Sequence, residues 1–546
     1  MRQTRTIALV FGMSAVARAQ DLPARVDKIF ARFDQTSPGC AVGLAKDGRP
    51  VYTQGYGLAN LEYRAPLTDS TVLESGSVAK QFTASALVLL AQDGKLSLDD
   101  DIRKYLPEVP DFGRVIRIRN LLTHTSGLRD QWGLLGIEGR GPGTQVHSPL
   151  TTLDLIAHQK MLNFPPGSAY LYSNSGYALA GLIVQRVSGK TLDAFTQERL
   201  FRPLGMTHTR WRDDFTDVVP NRATAYSGSA TTGYHTDMPF TNMIGNGGLL
   251  STMKDLLAWN ENLDNPAVGG RAYVSTMETR MRLTNGRTIT YALGLEVAEY
   301  EGVREVSHGG STAGYRTFLA RYPDQHVSVA VWCNYAGANP TLLGRQVVDL
   351  VLTKPARPSA QAGAPAVQVT AAELAKWQGT YRDRFSDETI TLAPTTDGLA
   401  ISGRGGRGNA ASWKPIGGAR FKPPLGEVTF AGSAPRRGFS LVRPDGDTAV
   451  FQEVEPSGAL KLGDYAGTYA SDELDVRFVV AAKNGALVLK RRPADEFELT
   501  PAYVDDFRAG GGLGTLRFAR DAKGVVTGFS FYAGRVVDVR FKRVSR

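Results

Sequence analysis

The chain has 546 residues, 42% of them hydrophobic and 21% charged, with a formal net charge of +10. That length exceeds one ordinary core and calls for two to four domains, and the ordinary composition excludes a disordered or fibrous chain. The positive charge is spread thinly, with its densest clusters as short as Lys490-Arg491-Arg492, and no zinc-finger, helix-turn-helix or aromatic-basic pattern argues for nucleic acid.

The first residues read as an address. Arg2 and Arg5 precede an apolar stretch from Ile7 to Val16, and Ala17-Arg18-Ala19 offers a small-x-small cleavage site. This is the three-part pattern of a secretory signal peptide over residues 1–19, cut after Ala19, which predicts a periplasmic or secreted protein. The apolar stretch is too short for a membrane span, and no other run of the required length occurs.

Residues 20–353 read as a mixed α/β unit. A short helix over Leu22–Phe33 is followed by a hairpin, "GCAVGLAKDGRPVYTQGYGLAN", turning at Lys46-Asp47-Gly48. Helices and loops fill the middle, and "YRTFLARYP" and "HVSVAVWCN" close the unit as two strands. Strands at both ends with helices between predict a mixed sheet whose members come from distant parts of the chain. Cys40 and Cys333, the only cysteines, both lie in strand-like runs. Two buried thiols are the favoured reading, a disulfide the alternative. The seven histidines are scattered, so no metal site is expected.

Residues 354–369 are rich in Pro, Ala and Gly and read as a linker. The chain then repeats itself. "WQGTYRD" at Trp377 returns as "YAGTYASD" at Tyr465, "DGLAISG" at Asp397 as "NGALVLK" at Asn484, and "GFSLV" at Gly438 as "GFSF" at Gly528. Alternating apolar residues broken by Gly, Asp and Asn turns predict two sister antiparallel β-barrels or sandwiches, over 370–456 and 457–546.

Three stretches can carry chemistry. In "ESGSVAKQFTASALVLLAQDGKL", Ser77 and Lys80 are three apart at the start of an apolar helix, so they share a face. A serine hydroxyl needs a base to become a nucleophile, and lysine can be one once its charge is disfavoured. The spacing alone is equally that of a capped helix with a solvated lysine. In "PPGSAYLYSNSGYALAGL", Tyr172 sits at a helix entry where its hydroxyl can relay protons, and Asn174 can orient a substrate amide. In "VSHGGSTAGYRTFLARYP", Gly309 and Gly310 would let a substrate backbone lie along a strand edge. The amide of Ser311 could join that of Ser77 in an oxyanion hole, and His308 would add a cation or a donor.

Ser77-Val-Ala-Lys80, Tyr172-Ser-Asn174 and His308-Gly-Gly310, in this order, resemble the serine β-lactamase and penicillin-binding-protein superfamily. "NLLTHTSGL", "RPLGMTHT" and "GNGGLLSTMKDLLAW" resemble the same family; His124, in the first of these, is taken as structural. The resemblance implies a β-lactamase/transpeptidase-like domain with a mixed, mainly antiparallel sheet, followed here by two lipocalin-like barrels. It implies an acyl-enzyme on Ser77, with Lys80 and Tyr172 sharing the proton transfers and no cofactor. Within the family, the tyrosine motif and the tandem barrels are similar to D-aminopeptidases and to peptidases that clip linearised microcystin. The expected activity is therefore cleavage of short peptides, including those with D- or modified residues. A carboxylesterase, a weak β-lactamase, and a slowly turning-over penicillin- or peptide-binding protein are the alternatives. His308 stands where class C β-lactamases carry a lysine, which weakens the lactamase alternative. In D-aminopeptidases a loop of the last barrel helps recognise the substrate's amino group. Its counterpart is expected in "YVDDFRAGGGLGTL", with Asp505 and Asp506 attracting the ammonium. Such relatives include dimers, so a homodimer is the expected assembly if there is one.

Overall fold

The computed structural model describes residues 22–355, 367, 369–403, 412–423, 426–433, 437–443, 446–491 and 494–545. The signal peptide expected at 1–19 and the centre of the linker expected at 354–369 lie outside them. The chain forms two compact units, one from residues up to 96, 180–279 and 292–355, the other from 97–179, 280–291 and the barrel region.

The first unit is built on a six-stranded antiparallel sheet. Its strands are β1 (Cys40–Lys46), β2 (Arg49–Tyr56), β3 (Glu296–Tyr300), β4 (Val303–Thr312), β5 (Tyr315–Tyr322) and β6 (Val327–Cys333), in the order β3-β4-β5-β6-β1-β2. The β1–β2 turn is where the sequence places it. Asp47 and Gly48 both take positive φ, which two-residue hairpins of this twist require. One sheet face buries Val42, Val329 and Val331 against Val26 and Phe30 of the first helix and Leu343 and Val347 of the helix Pro340–Val348. On the other face Gly43 lies against Met253 and Leu257 of the helix Met253–Asp264. That helix carries a second layer, the helix α1 (Lys80–Gln92), through Trp259, which stacks near Phe82 and donates to Gln81 Oε1 at 2.8 Å. Lys80 to Leu90 are all buried, as expected of a helix clothed on every side.

Cys40 and Cys333 are direct partners across β1 and β6 and are joined as a disulfide. This corrects the favoured reading of two thiols: antiparallel pairing of segments 293 residues apart sets the two side chains face to face, which no local pattern announces.

In the second unit the repeated sequence forms two eight-stranded antiparallel sheets. One runs from Gly379–Asp383 to Thr448–Val454; the other, from Gly467–Ala470 to Val536–Ser545, closes fully into a barrel. The repeated Gly-Thr-Tyr does the same work in both. Tyr381 and Tyr469 are fully buried and donate to the carbonyls of Trp377 and Tyr465, four residues earlier. The segment 97–179 packs with the barrels through Phe164 on Phe385 and through Arg129, whose guanidinium pairs with Glu473 at 2.6 Å with both side chains buried. Among the described residues, no helix is long and apolar enough to cross a membrane.

Candidate active site

Ser77 lies in the one-turn 3-10 helix Gly76–Ala79 that leads directly into α1. The turn is fixed from behind by buried Glu74, which pairs with Arg212 and Arg222 at 3.1 Å each. The Lys80 ammonium donates to Ser77 Oγ at 3.0 Å and to the Asn246 carbonyl at 2.7 Å. Lys80 is fully buried while Ser77 is half-buried, so the hydroxyl is the reachable member of the pair. The competing reading of a solvated lysine is thereby excluded. Gly294, at positive φ, lets its loop lie against the backbone of Lys80, where a Cβ would come within 2.8 Å of the Lys80 carbonyl.

Strand β4 passes over this turn backbone to backbone. A Cβ on Gly310 would fall 2.1 Å from the Ser75 carbonyl oxygen and 3.0 Å from the Ser77 nitrogen. A Cβ on Gly76, whose φ is +51°, would fall 2.6 Å from the Ser311 nitrogen. Thr317 Oγ1 donates to the Ser75 carbonyl at 2.7 Å and pins the contact from the neighbouring strand. The glycines thus bring the amides of Ser77 and Ser311 close together, an arrangement suited to holding one developing oxyanion. Gly309 is different: a Cβ there would have only the Thr317 carbonyl within 4 Å, at 3.8 Å.

His308 is buried on β4. Burial, with the Lys80 charge second, lowers its pKa to about 4. Its Nδ1 lies 2.6 Å from the Gly309 carbonyl, which can only accept, so Nδ1 carries the proton and Nε2 is left as an acceptor. Of the two alternatives expected at this position, a cation or a donor, burial and the Nδ1 contact favour the neutral donor.

In the second unit, Tyr172 is held by its neighbours' backbone. The Leu171 amide donates to the His124 carbonyl at 3.0 Å and the Ser173 amide to His124 Nδ1 at 3.1 Å. The His124 ring lies 3.9 Å from the Tyr172 ring, and His124 itself takes a positive φ of 57°. Asn174 gives both its amide and its side-chain Nδ2 to Asp130 Oδ2, at 2.7 and 2.9 Å. Asp130 Oδ1 accepts from the Trp132 amide as the N-cap of the helix Gln131–Glu138. Asp130 has no place among the residues the sequence singles out, whereas His124 has the structural role expected of it. The Asp before an apolar helical run was the available signal for the first.

Asp505 and Asp506 are not an open pair of carboxylates. Asp505 sits at positive φ in a tight hairpin between the strands Asp495–Tyr503 and Asp506–Ala509. It accepts from Tyr465 at 2.7 Å and from Arg520 at 2.9 and 3.0 Å. Asp506 is fully buried within the barrel, and burial pushes its pKa up to about 8. The part of the last barrel that meets Tyr172 is another turn. Arg535, between the strands Val526–Ala533 and Val536–Ser545, places its guanidinium 4.6 Å from the centre of the Tyr172 ring.

A buried lysine against a half-exposed serine, with two neighbouring amides, is an arrangement able to support nucleophile-and-base chemistry of the acyl-transfer kind. The family described as Beta-lactamase matches residues 26–353, and the chain belongs to that family. It is 28% identical over 537 residues to a D-aminopeptidase of Brucella anthropi, covering 93% of this chain and 95% of the relative. Among solved structures, the octameric penicillin-binding protein homologue from Pyrococcus abyssi shares the fold with a TM-score of 0.55 and 22% identity, over 87% of this chain and 99% of that one. The D-amino acid amidase from Ochrobactrum anthropi SV3 shares it with a TM-score of 0.51 and 22% identity, over 61% and 98%.

Proposed function

We propose that this serine peptidase or amidase is exported and cleaves amide bonds of short linear peptides, including peptides with D- or modified residues, through an acyl-Ser77 intermediate. The observation that carries the reading is the 3.0 Å contact between Ser77 Oγ and the buried Lys80 Nζ. The likeness to a D-aminopeptidase over nearly the whole chain, barrels included, supports the substrate class. Export is supported by the residues before Gln20 and by the Cys40–Cys333 disulfide, which oxidising compartments favour.

In this mechanism Ser77 Oγ bonds to the scissile carbonyl carbon and gives up its proton to Lys80 or Tyr172, the pair to which the motif trio assigns it. The amides of Ser77 and Ser311 stabilise the oxyanion. The carbon–nitrogen bond breaks, the amine leaves with a proton from the same pair, and water then releases the acid and restores the serine. His308, neutral, acts as an acceptor close to Lys80 rather than as a charge for the substrate. A β-lactam carboxylate would find no cation there, which disfavours the lactamase reading.

A competitive panel on residues 20–546 tests this: D-Ala and L-Ala p-nitroanilides, a linear D-residue peptide, nitrocefin and a short p-nitrophenyl ester, each with Ser77→Ala as blank. Preferred turnover of an anilide or peptide, lost in the blank, is the expected result. Turnover of the ester alone would make the protein a carboxylesterase.

A further inference from the structure

The turn that carries Arg535 is fastened to the segment carrying Tyr172 by a set of hydrogen bonds. The Arg535 carbonyl accepts from Asn163 Nδ2 at 3.0 Å, and the Val537 amide donates to Asn163 Oδ1 at 2.9 Å. Arg129, buried and paired with Glu473, donates Nε to the Val537 carbonyl at 3.0 Å and Nη2 to the Asp538 carbonyl at 2.8 Å. Gly133 leaves room for Val536, whose side chain would lie 2.6 Å from a Cβ there. The main chain on both sides of Arg535 is therefore fixed by side chains from more than 370 positions earlier in the sequence.

The side chain itself is left with donors to spare. Among the described residues it makes no hydrogen bond. Its carboxylate neighbour Asp130 stays 3.9 Å away, and that carboxylate is already taken by the two donors of Asn174. Arg535 keeps 46% of its side-chain surface exposed. A guanidinium held on a fixed backbone, half in solvent and free to give two parallel N–H donors, is matched to a carboxylate.

We infer that Arg535 is a specificity residue that takes an anionic side chain on the leaving residue of the substrate. This rests on the proposed reading, in which Tyr172 shares with Lys80 the proton transfers at the scissile bond. It is the opposite of an acidic turn waiting for an ammonium: Arg535 would select for negative charge on the leaving residue.

The test uses matched peptide amides that differ only in a leaving residue of Glu, Gln or Lys, with the acyl residue the panel prefers. Affinity is measured by calorimetry on full-length Ser77→Ala, and kcat/KM on the active protein. The expected result is about tenfold tighter binding and faster turnover of Glu over Gln, reduced by added salt. Arg535→Gln should remove that ratio while the Gln peptide is still cleaved, and Arg535→Glu should shift preference to Lys. Equal affinities for Glu and Gln in the parent, or an equal loss for both in Arg535→Gln, would overturn the inference and leave the turn a clamp. Failure of the proposed function shows separately: turnover would persist in Ser77→Ala, whatever the calorimetric ratio.

Discussion

The surroundings of Ser77 and those of Tyr172 are built on opposite plans. Around Ser77 the parts are backbone: glycines at 76, 294 and 310 let neighbouring main chain lie against the turn and the start of its helix, and burial lowers the pKa of the nearby His308. Around Tyr172 the parts are side chains, many of them charged: Asp130 holds Asn174, Arg535 covers the ring, and the buried Arg129–Glu473 pair fixes the turn that brings Arg535 there. Close backbone packing leaves no room for an added atom where the Ser77 and Ser311 amides approach. Side-chain clamping gives a surface whose charge can change while the fold stays.

The variant with the largest expected effect tests the first plan. Lys80→Met keeps the volume of the buried side chain and removes one of the two proposed proton carriers, so kcat/KM should fall by about a thousandfold with little change in Tm. Next is Gly310→Ala, which drives a methyl group into the Ser75 carbonyl. Turnover should drop about a hundredfold and Tm should fall with it, whereas Gly309→Ala, whose methyl group would make only an ordinary contact with the Thr317 carbonyl, should keep its Tm and lose activity only through KM. Equal behaviour of the two glycines would break the backbone half of the comparison.

The second plan is tested by Glu473→Gln. Leaving Arg129 buried without its counter-charge should cost about 3 kcal/mol of stability in chemical denaturation and should disturb the Arg535 turn, with losses in turnover as well. A pH series sharpens the contrast. His308 has an ordinary pKa of 6.5 when unfolded and about 4 when folded, so between those values the unfolded chain binds a proton that the native chain does not. Stability should therefore rise with pH across that window, and His308→Asn should flatten the urea-midpoint profile there. The smallest effect is reserved for Asp505→Asn. Its carboxylate serves a partly exposed pair with Arg520, so stability should change by about 1 kcal/mol or less and kcat/KM should be unchanged. A large loss of activity in Asp505→Asn would return the substrate's amino group to that turn.

The difference between the two plans also decides what could be read in advance. The placement of Ser77, Lys80, Gly310 and Ser311 is legible because it depends on local spacing: three residues along a helix, or two successive glycines in a strand. The paired barrels are legible because a buried tyrosine four residues after its carbonyl partner is a local device used twice. Arg535 is not legible, since it meets Tyr172 only through tertiary contacts spanning more than 360 residues, and no short pattern marks an arginine in a hairpin turn. The Cys40–Cys333 disulfide hides for the same reason. The neutral state of His308 follows from burial near a lysine, which its glycine-rich setting does not disclose. The grouping of residues 97–179 with the barrels likewise depends on side chains such as Arg129 and Phe164, so removing everything after Lys354 would strip partners from the segment that carries Tyr172.

The most direct test of the central claim is to catch the acyl group. The protein would be mixed with a slowly deacylating ester or penicillin, quenched in acid, digested, and mapped by mass spectrometry beside Ser77→Ala. The account predicts one acyl adduct on the peptide bearing Ser77, absent from the variant and declining as product appears. An adduct on another residue, or product formed at the parent rate by Ser77→Ala, would contradict it.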